Sequence, residues 1–208
     1  MDLRIPRIRE DRHIRRARKV KNLKVIAGID EAGRGPLAGP VVAAAVILRE
    51  PISGLDDSKK LSAKRRDAFA EHIRETAIFG IGIAEPEEID RINILQATLV
   101  AMRRAAFNLG HIPAEFLIDG NRTPDHLPAP ARFIIGGDAI EPAISAASIV
   151  AKTVRDELMI RAAERWPAYG FEGHKGYGAR THLDAISEHG PCPIHRMSFS
   201  PMRQPAFA

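Results

Sequence analysis

Three short apolar runs in this 208-residue chain each stop at an acid with glycine close by. They are Ile29-Asp30-Glu31, Leu117-Ile118-Asp119-Gly120 and Ile134-Ile135-Gly136-Gly137-Asp138. Short apolar runs bounded by acids and glycine read as buried strands of a layered α/β domain. One strand that ends in an acid is ordinary solvation. Three such ends point to a shared crevice, because strand ends in α/β sheets converge on the usual ligand site. Carboxylates gathered there repel one another, and ionising all of them unaided is costly. Divalent cations remove that cost, and hard oxygen donors suit Mg²⁺ or Mn²⁺.

The rest of the chain fits the same architecture. The ordered part is expected to begin near Lys24, with a strand over 25–30. Gly33, Gly35 and Gly39 with Pro36 and Pro40 make a turn, and the β-branched run 41–48 forms a second strand, antiparallel to the first. Ser62 is placed to cap a helix carrying Phe69, Ile73 and Ala77 at helical spacing. A strand over 78–84 follows. Leu95, Leu99, Met102, Ala106 and Leu109 then recur at steps of four and three, the mark of an amphipathic helix that Gly110 ends. Short strands are expected over 115–119 and 132–135, then a helix marked by Ile144, Ala147, Ala151, Val154 and Leu158. A glycine-rich loop (Gly170, Gly173, Gly176, Gly178) leads to a short helix around Leu183 and Ile186. Asp30 and Glu31 are adjacent, and successive strand side chains point to opposite faces. Both reach one site only if the strand ends or bulges there.

Composition sets the outer bounds. No apolar run approaches the ~20 residues of a membrane helix. The single cysteine, Cys192, rules out an internal disulfide and fits a reducing, cytoplasmic setting. The formal charge of +5 is unevenly spread. Residues 1–22 hold nine Lys and Arg against three acids, so this basic tail carries +6 and the remainder −1. The tail reads as a disordered, solvated arm or as a nonspecific phosphate-binding arm. Residues 23–208 form the domain.

Candidate ligand-binding residues cluster near the turns. Glycines after a strand can form a dinucleotide loop, but that motif opens a helix. Here Pro40 and a β-branched run follow, so the unit is a hairpin, and Gly33 and Gly35 instead permit close backbone approach to a ligand. Basic residues near these loops are Arg34, Lys59, Lys60, Lys152, Arg155, His174 and Lys175. Lys59 and Lys60 follow Asp56-Asp57-Ser58 in a turn suited to phosphate contact, and Lys152 and Arg155 share one helix face. His174 and Tyr177 sit in the glycine-rich loop, which can bring them near a backbone.

Taken together, the segments 27–42 (AGIDEAGRGPLAGPVV), 57–62 (DSKKLS), 93–98 (NILQAT), 117–122 (LIDGNR), 143–152 (AISAASIVAK), 170–178 (GFEGHKGYG) and 190–199 (GPCPIHRMSF) resemble type 2 ribonuclease H, the bacterial ribonuclease HII family. Seven motifs in order are highly specific, and they span the chain from residue 24 to about 202; the basic tail lies outside them. The resemblance implies a ribonuclease H-like fold, a five-stranded mixed sheet flanked by helices with a C-terminal helical extension. It implies an endoribonuclease that cuts the RNA strand of RNA/DNA hybrids and nicks duplex DNA 5′ to single embedded ribonucleotides, leaving 3′-hydroxyl and 5′-phosphate ends. Its catalytic, metal-binding acids fall on Asp30, Glu31, Asp119 and Asp138, holding two divalent ions, Mg²⁺ or Mn²⁺, ~3.5–4 Å apart with Asp30 bridging them. The Gly-Arg-Gly element that reads the ribose falls on Gly33, Arg34 and Gly35, and the junction tyrosine on Tyr177.

Two departures stand out: Gly136 where members often have lysine, and Ala179 where threonine is common. Neither removes a metal ligand. A monomer is expected. Residues 204–207 faintly resemble a sliding-clamp peptide. Rival readings are a DNA-cleaving integrase or resolvase relative with similar acids, and a noncatalytic nucleic-acid-binding module, which has no need of clustered carboxylates.

Overall fold

The computed structural model describes residues 25–55 and 62–203. The basic tail, Lys59, Lys60 and the clamp-like residues 204–207 lie outside them. Five strands, β1 (Ile26–Ala32), β2 (Val41–Ile47), β3 (Ile78–Ala84), β4 (Glu115–Asp119) and β5 (Ala131–Ile134), form one mixed sheet in the order β3-β2-β1-β4-β5. β1 pairs antiparallel with β2, and β2 with β3; β1 pairs parallel with β4, and β4 with β5. The order of elements along the chain, the five-stranded mixed sheet and the antiparallel hairpin agree with expectation. All three acid-bearing strands therefore run the same way, and their C-terminal ends share one edge of the sheet.

Helix α1 (Ala63–Thr76) begins at Ser62, whose hydroxyl accepts from the Arg65 N–H at 3.4 Å. Helix α2 (Pro86–Asn108) starts nine residues before the expected Leu95 and bends at Asn93, where φ is 68°. Asn93 Oδ1 accepts from the Leu95 and Gln96 N–H groups at 3.0 and 3.1 Å, so the periodicity detected only the limb that Asn93 caps. That limb buries Ala97, Ala101 and Ala105 beside Met102 and Ala106, while Leu99 packs only in part. The stripe centres on small residues because α2 lies directly on β3. A Cβ on Gly82 would overlap the Ala101 carbonyl oxygen, and one on Gly80 that of Ala105.

Helix α3 (Pro142–Arg165) packs the opposite face, where Ala146, Ala147, Val150 and Ala151 meet Ala44 and Val46 of β2. A Cβ on Gly28 would strike the α3 backbone at Ala143, which brings the start of α3 against the centre of β1. The C-terminal part adds α4 (Phe171–His174) and α5 (Arg180–His189). Its core of Tyr169, Phe171, Ile186 and Met202 packs against Met159 of α3 and Leu37 of the β1–β2 loop. Among the described residues no helix is long and apolar enough to cross a membrane.

Candidate active site

Register brings the first two acids together. The parallel ladder between β1 and β4 runs to Ile29 opposite Ile118, so Asp30 and Asp119 follow it side by side. On the β2 side β1 continues regularly, with Asp30 opposite Ala44, Glu31 opposite Ala43 and Ala32 opposite Val42. The strand has no bulge; it ends on one side only. Asp30 faces α3, where the Ser148 hydroxyl bonds to it, and its Oδ1 accepts the Glu31 N–H at 2.7 Å. Glu31 starts from the other face, yet its carboxyl bonds with Asp30 and is repelled by Asp119. Beyond β5, Gly136 turns the chain at φ +66° into the 3₁₀ turn Gly137–Ala139. That turn returns Asp138 to the edge, where its N–H lies 3.4 Å from Asp119 Oδ1. Asp138 is 3% exposed and Asp30 5%.

Burial and mutual repulsion favour the protonated forms of Asp30 and Glu31. Burial pushes the Asp30 carboxyl well above its ordinary value, and Glu31 and Asp119 push the same way. Burial raises Glu31 as well, against the pull of Arg34, whose Nη1 lies 3.2 Å from Glu31 Oε1. Glu31 Oε2 is buried without a hydrogen-bond partner. Among the described residues no three His, Cys, Asp or Glu side chains already stand in a metal-ligating arrangement. The chemistry of the set nevertheless fits a hard cation: all-oxygen donors, a surplus of negative charge and one orphaned buried oxygen.

The glycine loop beside these acids is fastened from behind by two buried guanidinium groups. Arg155 of α3 donates from Nε to the Pro40 carbonyl at 3.0 Å and from Nη2 to Ala38 at 3.1 Å. Arg196 donates to Gly39 (2.9 and 2.8 Å), Arg34 (2.9 Å) and Gly33 (2.6 Å). Gly33 has φ +95°, and a Cβ there would overlap Arg155. Burial lowers both arginines from their ordinary value, and Arg155 lowers Arg196 further, but the carbonyl oxygens around them favour the charged form. Sequence reasoning placed Arg155 with the cations near the loops open to a ligand; it is instead 1% exposed, with Nε and Nη2 bonded to the loop backbone.

Tyr177 stands beside the loop. A Cβ on Gly35 would lie 3.7 Å from its ring, and the Leu37 N–H donates to the Gly176 carbonyl at 2.8 Å. The ring is 47% exposed, with Arg155 5.9 Å from its centroid. The remaining candidates are placed less openly. Lys152 pairs with Asp156 at 2.7 Å, and Lys175 Nζ donates to the Glu172 carbonyl. Both ring nitrogens of His174 meet backbone groups, Tyr169 O at 2.8 Å and Gly176 N at 3.1 Å. Sequence reasoning did not single out Ser148 or Arg196, nor Asp90, which accepts the Met197 and Ser198 N–H groups at 2.8 and 2.9 Å and ties down the C-terminal segment. Ser148 and Arg196 lay inside matched motifs, and Asp90 inside none.

The sequence model described as Ribonuclease HII matches residues 27–202. The chain belongs to the ribonuclease HII family. A ribonuclease HII of Maricaulis maris is 62% identical over 180 residues, 86% of this chain and 83% of the relative. That of Sphingopyxis alaskensis is 61% identical, covering 86% and 91%. Among solved structures, ribonuclease HII of Archaeoglobus fulgidus, determined in a complex with PCNA, superposes with a TM-score of 0.71 at 26% identity, covering 84% of this chain and 95% of that one. Ribonuclease H2 of Pyrococcus horikoshii superposes with a TM-score of 0.68 at 25% identity, covering 86% and 95%. The sheet and helices are thus those of the ribonuclease H-like fold. As a member of this family the chain is an endoribonuclease, a hydrolase with ribonuclease H activity on RNA/DNA hybrids.

Proposed function

We propose that this ribonuclease HII nicks duplex DNA on the 5′ side of a single embedded ribonucleotide, besides cutting the RNA strand of hybrids, and leaves 3′-hydroxyl and 5′-phosphate ends. The observation that carries the proposal is the juxtaposition of Tyr177 and Gly35, in the loop that directly follows Asp30 and Glu31. A loop backbone bare of a side chain at Gly35 and the exposed Tyr177 form one surface, four residues along the chain from Glu31. Gly33 and Gly35 let the backbone contact a 2′-hydroxyl, and a site built to bond a hydroxyl rejects the analogue lacking it. Tyr177 offers its ring to the next sugar, where an added hydroxyl would clash. Together they select a ribose followed by a deoxyribose. Arg34, half exposed beside Glu31, is free on its outer side to meet a backbone phosphate.

Asp30, Glu31, Asp119 and Asp138 would hold two divalent cations, Mg²⁺ or Mn²⁺. When bound, such ions supply charge neutralisation, a more acidic attacking water and stabilisation of the leaving 3′-oxygen. The chain's own part is to keep Asp30 fixed between Ser148 and the Glu31 N–H, and to leave Glu31 Oε2 unclaimed. The enzyme is read as a cytoplasmic monomer. The clamp-like residues 204–207 suggest a sliding clamp as partner, and co-elution with the clamp that is lost on their removal checks this.

The test of the junction reading is substrate preference. Tyr177→Ala should reduce kcat/KM on a single-ribonucleotide duplex by about 10- to 100-fold more than on a uniform RNA/DNA hybrid, the scale of a misplaced substrate. Arg34→Ala should weaken the same preference. Equal losses on the two substrates would contradict the assignment of Tyr177.

A further inference from the structure

Three histidines stand behind Tyr177 and take no part in the chemistry above. His174 stacks on His182 with ring centroids 4.4 Å apart. His182 Nδ1 lies 2.8 Å from the Tyr177 carbonyl, and its Nε2 lies 3.1 Å from Nε2 of His195. His195 Nδ1 receives the Cys192 N–H at 2.9 Å, and His174 Nδ1 receives the Gly176 N–H at 3.1 Å. His182 is 0% and His195 3% exposed.

Counting donors gives one neutral arrangement that satisfies every ring; in it the shorter contact of His195 Nδ1, to the Cys192 N–H at 2.9 Å, prevails over the 3.2 Å one to the Cys192 carbonyl. The Tyr177 carbonyl only accepts, so His182 carries its hydrogen on Nδ1 and accepts on Nε2. His195 must then donate from Nε2, which leaves Nδ1 free to accept from Cys192. His174 accepts at Nδ1 and donates from Nε2 to the Tyr169 carbonyl. All three rings are satisfied when neutral; a further proton on His174 sets its Nδ1 against the Gly176 N–H, and one on His182 Nε2 forces His195 to move its hydrogen to Nδ1, against the Cys192 N–H it now receives and toward the more distant Cys192 carbonyl. Burial favours the same state: it lowers His182 and pushes His195 down to about 4. Of the described residues, the titratable or charged groups facing the pair are His174, Tyr169 and Cys192, with Arg196 next along the chain. No carboxylate among them acts on either ring.

The two ends of this chain of rings are the two halves of the junction surface. One end holds the Tyr177 carbonyl. The other is His195, whose backbone bridges to Ala38 of the glycine loop and which immediately precedes Arg196. We propose that His182 and His195, backed by His174, are positioning residues: an uncharged relay that sets Tyr177 against the Gly33–Gly35 backbone and so sets the preference for a ribose–deoxyribose junction. The proposal rests on the junction reading of Tyr177.

The test uses the full chain and the ratio of kcat/KM on a single-ribonucleotide DNA duplex to that on a uniform RNA/DNA hybrid. Chemistry common to both substrates cancels in this ratio, so titration of the acids does not enter it. His182→Phe keeps a ring but loses both bonds, and should lower the ratio by roughly 10-fold or more. His182→Asn puts a donor back where Nδ1 stood and should restore most of it, whereas His182→Gln, which reaches only toward His195, should not. In the wild-type protein the ratio should hold as pH drops below 6.5, the span over which His195 resists protonation, and fall as pH reaches about 4, where that ring takes up its proton. A ratio unmoved by His182→Phe and by acid, with Tyr177→Ala still lowering it, overturns the relay alone. A ratio unmoved by Tyr177→Ala overturns the junction reading and the relay with it. Should His182→Phe fail to fold, the Asn and Gln variants decide: equal ratios, or a higher ratio for Gln, contradict the proposal.

Discussion

Asp30 sits where charge and burial conflict most sharply. It is shut away beside two further carboxyl groups, held by Ser148, one N–H and a bond to the Glu31 carboxyl. Asp30→Asn should lower turnover by several orders of magnitude, because a metal-holding charge is lost while packing stays intact. The same variant should melt higher than wild type without divalent ions. The raised carboxyl groups of Asp30 and Glu31 ionise in the unfolded chain first, so metal-free stability declines as pH rises past their ordinary values of 3.8 and 4.5. Added Mg²⁺ should raise the melting temperature of wild type more than that of Asp30→Asn. Thermal melts with and without Mg²⁺ at neutral pH check both statements; a wild type more stable than Asp30→Asn in the metal-free state would contradict the account of the cluster. These acids were legible in the sequence because each follows an apolar run and precedes or follows glycine. Arg196 and the histidine pair were not. Their partners are backbone atoms and rings brought together only by folding: Arg196 bonds Gly33 and Gly39 across more than 150 residues. From the sequence a buried arginine looks the same as a solvated one.

At the scale of elements, periodicity located every strand to within two residues and located α1 and α3, but it found only the longer, C-terminal limb of α2. The missing limb precedes the bend at Asn93, where the positive φ resets the helical phase. Of the expected stripe Met102, Ala106 and Leu109 are buried, while Leu95 and Leu99 are half-buried because glycines on β3 draw the alanine face of α2 onto the sheet. Gly82→Ala should therefore destabilise the protein by about 1–3 kcal/mol through overpacking, read by denaturant titration. Conversely, α5 begins at Ala179 with extended φ and ψ and no side-chain cap. Ala179→Thr, the residue common in the family, should stabilise α5 by about 1 kcal/mol, because a hydroxyl there can accept a free N–H of the first turn. An unchanged denaturation midpoint would show that the departure at 179 is not a lost cap.

For the whole molecule, the fold turns a linear pattern into one working edge. The parallel arrangement of β1, β4 and β5 gathers the acids, and the C-terminal part folds back to fasten the glycine loop and Tyr177 beside them. Acid should undo this assembly. His195 binds its proton near 6.5 when unfolded and near 4 when folded, so between those values the unfolded chain holds more protons and stability falls as pH falls. The slope contributed approaches 1.4 kcal/mol per pH unit, and it should flatten in His195→Gln. The +6 of residues 1–22 belongs to this scale too. Their deletion should leave the cleavage position unchanged, weaken substrate binding at low salt and flatten its salt dependence, since fewer counterions are released. The central claim is cleavage by the acid cluster at a junction that the glycine loop and Tyr177 select, and mapping the products from a DNA duplex with one ribonucleotide tests it most directly. The account predicts a single nick on the 5′ side of the ribonucleotide, with 3′-hydroxyl and 5′-phosphate ends, and an intact all-DNA control. Cleavage of the all-DNA control, or cutting confined to long ribonucleotide runs, would contradict it.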